Sequence, residues 1–363
     1  MNNKKLFTLL GGICLGLMVA FISPNDVAGA QPTNKDSKTL LVDGGVNPPF
    51  SIGGKALLYF GDELAKRTNG LIKCKYVWSG AVSAPGEEIG NVVGRVVDMA
   101  WIPLMFYPTE LYLNDGLHVL PFKIPDRRVM QEVYLELCEQ KPVLTKEFEK
   151  LGVQLLYHQI DAAMDLQSLT PITKLEDLKD QKIAIAGGWP QRIVSAVGVT
   201  PVPVVLAERP VALQTKMIDG TICPLTVAFP FKFHQWAKNA TFMRWGVDAG
   251  AVAVINLELF NRFPKDIQKT ILEVGRDSGR KFVEMDLAFE AKAKEVFAAA
   301  GVTSYTFSDE DVRKWAELIS DLPAQWVKQG EARGLPARDV MDTYLRLQRE
   351  KGHKFPVQWK LGD

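Results

Sequence analysis

An α/β fold in two units is what the sequence predicts, and three observations predict it. Short apolar strand patterns alternate with helical ones from residue 39 to about 102, and the alternation resumes at 153. One helical segment, 264–300, has no interior proline and, at 1.5 Å per residue, reaches roughly 50 Å, more than a small domain is wide, so it can bridge two lobes. The chain has 363 residues, 47% of them hydrophobic, enough for two ordinary cores.

The elements follow in order. Residues 1–5 carry Lys4 and Lys5, 6–22 are an apolar run, and Ala28-Gly29-Ala30 follows Pro24, the layout of a secretory signal cleaved after Ala30. An uncleaved anchor is the competing reading, since the run approaches the lower length limit of about 17 residues for a spanning helix. Residues 31–37 form a polar arm and 39–43 a strand. In 53–67, Ala56, Phe60 and Leu64 fall on one helical face, and Asn69-Gly70 ends the helix. Alternation predicts a strand over 71–78, a helix over 87–94 and a strand over 96–102, the sequence of parallel βαβ units. A second, shorter α/β set uses strands at 153–158 and 182–186 and a helix near 190–197, and runs to about Met243. The long segment 264–300 starts at a proline and stops at Gly301. A last helix opens at Ser308-Asp309-Glu310-Asp311, where acidic residues suit the N-terminal dipole, and runs toward Gly330.

Several kinds of chemistry have no support in the residues. Lys and Arg number 43 against 42 Asp and Glu, so nothing favours nucleic acid or an anionic surface as a partner. His118, His158, His234 and His353 never pair at metal-ligand spacing, and neither a nucleophile elbow nor a phosphate-binding glycine loop occurs. No cofactor, metal or catalytic residue is therefore predicted. Three cysteines follow residue 30, Cys74, Cys138 and Cys223; their odd number and wide spacing argue for buried free thiols, with one bridge left open.

Between Pro49 and Arg276 a series of landmarks carries a resemblance. They are 60–70 (FGDELAKRTNG), Ser79-Gly80, 94–100 (GRVVDMA), Leu120-Pro121-Phe122, Thr170-Pro171-Ile172 with 176–179 (EDLK), Lys182-Ile183, 212–215 (ALQT) with Ile218-Asp219-Gly220, Asn256, and 263–268 (FPKDIQ). In order and spacing the chain resembles the DctP-like solute receptors of TRAP transporters. The resemblance implies the two-lobed periplasmic binding protein fold, with lobes joined by crossing strands and the long helix. It divides the chain into residues 38–161 plus about 250–289 for lobe I and 162–249 plus about 290–363 for lobe II. It also implies a periplasmic receptor, not an enzyme, that closes on a small molecule and delivers it to integral-membrane TRAP permease subunits.

The family's usual ligands are organic acids held by an arginine directly after the Lys-Ile pair. Here that position is Ala184, while a second arginine position falls on Met164 and an asparagine position on Cys223. Polar pocket positions fall on Pro103 and Phe106. A guanidinium is what offsets the desolvation of an enclosed carboxylate, so its absence predicts an apolar, aromatic or neutral ligand. Two other outcomes stay open: Arg192 or Arg209 reaching in as a relocated arginine, or a cationic amine bound by Asp161, Asp165, Asp248 or Glu208. Trp101, Phe106 and Trp189 lie at or beyond strand ends, where an α/β crevice opens, and they complete the predicted ligand-binding set with Met164, Ala184 and Cys223. A carrier of lipid-like molecules working without a conventional permease is the alternative function.

Overall fold

The computed structural model describes residues 37–362; the predicted signal and its cleavage site lie outside the described residues. Among the described residues eleven strands form two sheets: β1 (Lys38–Asp43), β2 (Ile72–Val77), β3 (Met99–Pro103), β4 (Val153–Asp161), β5 (Met164–Ser168), β6 (Lys182–Ala184), β7 (Thr200–Val202), β8 (Gly220–Pro224), β9 (Asn239–Phe242), β10 (Asp248–Asn256) and β11 (Thr303–Thr306). The first sheet has the order β2-β1-β3-β10-β4, and the second β11-β9-β5-β8-β6-β7. Each is a mixed sheet, with the parallel pairs that βαβ units produce and antiparallel strands arriving from elsewhere in the chain.

Local chemistry explains the first units. Ser51 caps the helix Ile52–Arg67 by accepting from the Gly54 amide at 3.0 Å, and Ala56, Phe60 and Leu64 are buried on its inner face. Asn69 and Gly70 then take left-handed φ angles of 49° and 79°, which turns the chain into β2. Strand β3 begins at Met99, later than the predicted 96, because Arg95 (φ 62°) makes a turn and the Asp98 carboxylate accepts from the Leu41 amide.

The long helix is continuous over Lys265–Ala299, 35 residues. Near its start it lies directly on β4: a side chain added at Gly275 would stand 2.4 Å from the Leu156 carbonyl oxygen. Toward its end, Ala293 and Phe297 join the apolar cluster of the second sheet with Leu213 and Phe233. Between the two contacts, Arg127 pairs with Asp286 and Glu290 of the helix. The helix spans both lobes, as its length predicts.

The C-terminal region departs from expectation in its helices. The predicted single helix toward Gly330 is two, Asp309–Leu318 and Leu322–Glu331, because Pro323 cannot sit inside a helix and instead occupies the first turn of the second. A further helix, Ala337–Glu350, buries Val340, Met341, Tyr344 and Leu347. Strand β11 lies in the second sheet beside β9, and Trp315 Nε1 donates to the Ile193 carbonyl at 3.0 Å, while the later helices reach residues between β3 and β4. Tyr344 meets Tyr134 of the helix Arg127–Gln140, and Trp326 stacks on Tyr112 with centroids 5.7 Å apart. The apolar faces of these helices find their partners on the first sheet's side. Among the described residues no helix is long and apolar enough to cross a membrane.

Candidate ligand site at the junction of the sheets

Three connections cross between the sheets: β4 to β5 through Ala162-Ala163, β9 to β10, and β10 to β11 through the long helix. The registers orient every other strand about that junction. Asp161 pairs with Asp248 at the crossing ends of β4 and β10, and β3 runs antiparallel to β10, so β3 ends, at Pro103, toward the junction. Met164, the first residue of β5, pairs with Pro224, the last of β8, and β6 and β7 run parallel to β8. The carboxyl ends of β1 and β3 therefore face those of β6, β7 and β8. Ligands of open α/β sheets bind at such strand ends.

On the first side, the Trp101 indole donates from Nε1 to Gln159 Oε1 at 3.0 Å, and Gln159 donates in turn to Asp161 Oδ1 at 3.1 Å. Trp101 is only 9% exposed and packs in the apolar cluster with Leu40, Met99 and Tyr157. Gly45 lies against the indole with φ 57°, where an added Cβ would stand 2.9 Å from the ring. Phe106, in the short turn Leu104–Phe106 beyond β3, is 47% exposed, whereas Pro103 is buried.

On the second side, Ala184 ends β6 with no exposed surface, and Cys223 is 5% exposed; both belong to one apolar cluster with Val204, Leu213 and Ile218. Cys223 donates to Gln167 Oε1 at 3.5 Å, and burial pushes its thiol up to about 12. Cys74 and Cys138 are likewise pushed up to about 12 by burial, and all three are free thiols. Met164 is half-buried against the larger apolar core.

Trp189 opens the helix Trp189–Ser195, with the exposed Arg192 guanidinium 4.8 Å from its ring centroid. The two line an open hollow of about 250 Å³ that is also lined by Tyr112, Asp115 and Gly116 and, from the C-terminal region, by Arg333. A larger hollow of about 710 Å³ lies between Leu175, Lys179, Val197 and Leu318 and holds none of the predicted site residues.

The charged candidates divide clearly. Burial works against the Asp248 carboxylate, but Lys123 and His118 hold it below its ordinary range, and it already receives Lys123 and Tyr134. Burial pushes Asp161 and Asp165 up to about 7. Glu208 is exposed. Arg209 is 7% exposed, donating from Nε to the Val204 carbonyl at 3.1 Å and from Nη1 to Thr221 Oγ1 at 3.0 Å. The sequence named this residue as a replacement for the missing arginine, but its burial depends on the helix Arg209–Gln214 folding back over β8, which no local pattern reveals.

The profile of the bacterial extracellular solute-binding protein family 7, DctP, matches residues 44–329. The chain is 23% identical over 275 residues to the C4-dicarboxylate-binding periplasmic protein DctP of Rhodobacter capsulatus, covering 75% of this chain and 81% of that one. Its fold is similar to that of a TRAP periplasmic solute-binding protein from Desulfovibrio salexigens, with a TM-score of 0.78 at 18% identity, covering 87% of this chain and 96% of the other. A TRAP solute-binding protein from Bordetella bronchiseptica with bound mandelate superposes with a TM-score of 0.74 at 21% identity, over 86% of this chain and 99% of the other. The chain belongs to the DctP family of bacterial extracellular solute-binding proteins.

Proposed function

We propose that the chain is the extracytoplasmic receptor of a TRAP-type transporter and that its ligand is a small molecule with an apolar or aromatic body rather than a C4-dicarboxylate. On this reading the protein is exported with a mature start at Gln31, performs no chemistry, and presents the closed, loaded form to integral-membrane permease subunits. The observation that carries the ligand class is the apolar end of the second sheet: Ala184, the last residue of β6, and Cys223, next to last in β8, lie inside an apolar cluster, so neither position supplies a cation. The exposed Phe106 and half-buried Trp189 add aromatic surface on opposite sides of the junction. Each Å² of apolar surface taken from water favours binding by roughly 25 cal/mol. A dicarboxylate, by contrast, would need two compensated charges.

Calorimetry of protein freed of co-purified ligand tests this. Mandelate and 3-hydroxybenzoate are expected to give saturable heats, and succinate and malate none. Micromolar binding of succinate would overturn the ligand class while leaving the receptor role standing.

A further inference from the structure

We propose that Asp161, at the end of β4, is a proton-controlled latch on the hinge: the lobe arrangement seen here requires it neutral, and its ionisation shifts the protein toward a different arrangement. The proposal goes beyond the receptor reading and rests on it only in that the lobes move about the crossings. Asp161 directly precedes Ala162-Ala163, so it sits where β4 leaves the first sheet for the second. Its Oδ1 accepts from Gln159 Nε2 at 3.1 Å, and the Trp101 indole orients that amide by donating to its oxygen at 3.0 Å. Its Oδ2 faces the bulge in β10, where a side chain added at Gly250 would stand 2.0 Å away. Among the described residues no cation lies within ion-pair distance of Asp161, because Arg127, from the helix Arg127–Gln140, is taken by Asp286 and Glu290 of the long helix.

The surroundings make that position sensitive to charge. Glu290 is also paired with Lys294, and Asp248, opposite Asp161 in the β4–β10 register, is held by Lys123, Tyr134 and His118. Burial, then the Asp286 carboxylate, raises Asp161 to about 7, against Gln159, Arg127 and His118. Burial raises Asp286 as well, with Arg127, Thr226 and the Ala162 amide opposing. Asp286 thus meets three parts of the molecule: the helix of Arg127, the crossing at Ala162, and Thr226 just after β8 of the second sheet. Turning the lobes about Ala162 changes both the separation of the two carboxyl groups and the water that reaches Asp161. Two desolvated carboxyl groups resist being charged together, so a proton on Asp161 holds this arrangement, and its loss favours one that parts or hydrates them. The sign follows from linkage: an acid raised in one arrangement favours it fully below its ordinary value near 4, progressively less up to about 7, and no less beyond.

Small-angle scattering of the full mature protein, freed of co-purified ligand, from about pH 4.5 to about 8.5 tests the latch, with circular dichroism to establish that each sample is folded. Near pH 5 the profile should match the one calculated from this structure. The ratio of this arrangement to the other should fall by up to about tenfold per pH unit and level off above about pH 7. Asp161→Asn, neutral and of the same shape, should keep the acid profile at every pH. If that variant does not fold, Asp286→Asn decides the matter, because removing the neighbouring charge should move the midpoint to lower pH. A profile independent of pH in the unmodified protein, or a pH response unaltered in either folded variant, would overturn the latch. Parallel samples saturated with mandelate keep the two readings apart. Compaction by mandelate with no effect of pH removes the latch and leaves the receptor standing, whereas a pH response lost in Asp161→Asn supports the latch even where mandelate does not bind.

Discussion

Lys123 is a lysine whose side chain has no exposed surface, held against Asp248, which also receives Tyr134. Such a pair stabilises little relative to apolar residues, but losing one member leaves the other buried and uncompensated. Lys123→Met is therefore expected to destabilise the protein by about 3–5 kcal/mol in urea unfolding, and adding Asp248→Asn should recover part of that loss. The same carboxylate sets a pH dependence. Burial disfavours a charged His118, but Asp248 and Asp115 overcome it and raise the ring to about 9, with Lys123 opposing. A base raised above its ordinary value contributes stability that is complete below about pH 6.5 and is lost as pH climbs toward 9. The stability gap between the unmodified protein and His118→Gln should thus be widest near pH 6 and shrink through pH 9; a gap that widens with pH would contradict the ion pair. None of this was legible in the sequence, because Lys123 and Asp248 are 125 residues apart and burial, not residue type, makes the pair consequential. Arg209 shows the same limit: its charge could be read, its enclosure could not.

Elements were more legible because their signals are local. The capped helix after Ser51, the strands around it and the 35-residue helix all follow from periodicity and caps. Strands β5, β8 and β9 are short and closed mainly by partners distant in sequence, and they were not separable by pattern. Two glycines turn element packing into opposite predictions. Replacing a helical glycine by alanine ordinarily stabilises by about 0.5–1 kcal/mol. Gly90, with nothing within 4 Å of an added Cβ, should follow that rule. Gly275 should reverse it, since its added Cβ would stand 2.4 Å from the Leu156 carbonyl oxygen and push the long helix off β4. Thermal melts of Gly90→Ala and Gly275→Ala should therefore shift in opposite directions, and a stabilised Gly275→Ala would mean the helix does not sit on β4 that closely.

At the scale of the whole molecule, the two sheets are tied by the β4–β5 and β9–β10 crossings and by one helix that packs on both. Few covalent connections and a junction lined by opposed strand ends are what hinge closure needs, with small φ/ψ changes absorbed at the crossings. A ligand seated between Phe106 and Trp189 would touch both sides only in the closed form, so it would favour that form by the differential contact. Shifting a mostly open population to a mostly closed one takes a preference of about 5.5 kcal/mol, within the range that burying an aromatic body can supply. Small-angle scattering of ligand-free protein, then with a saturating acid identified by calorimetry, should show a smaller radius of gyration in the second sample. Because a protein already closed without ligand would give identical curves, the ligand-free sample must first be compared with the profile calculated from an opened arrangement of the two sheets. If that sample is open and saturation leaves the curve unchanged, closure is not how this protein holds its ligand.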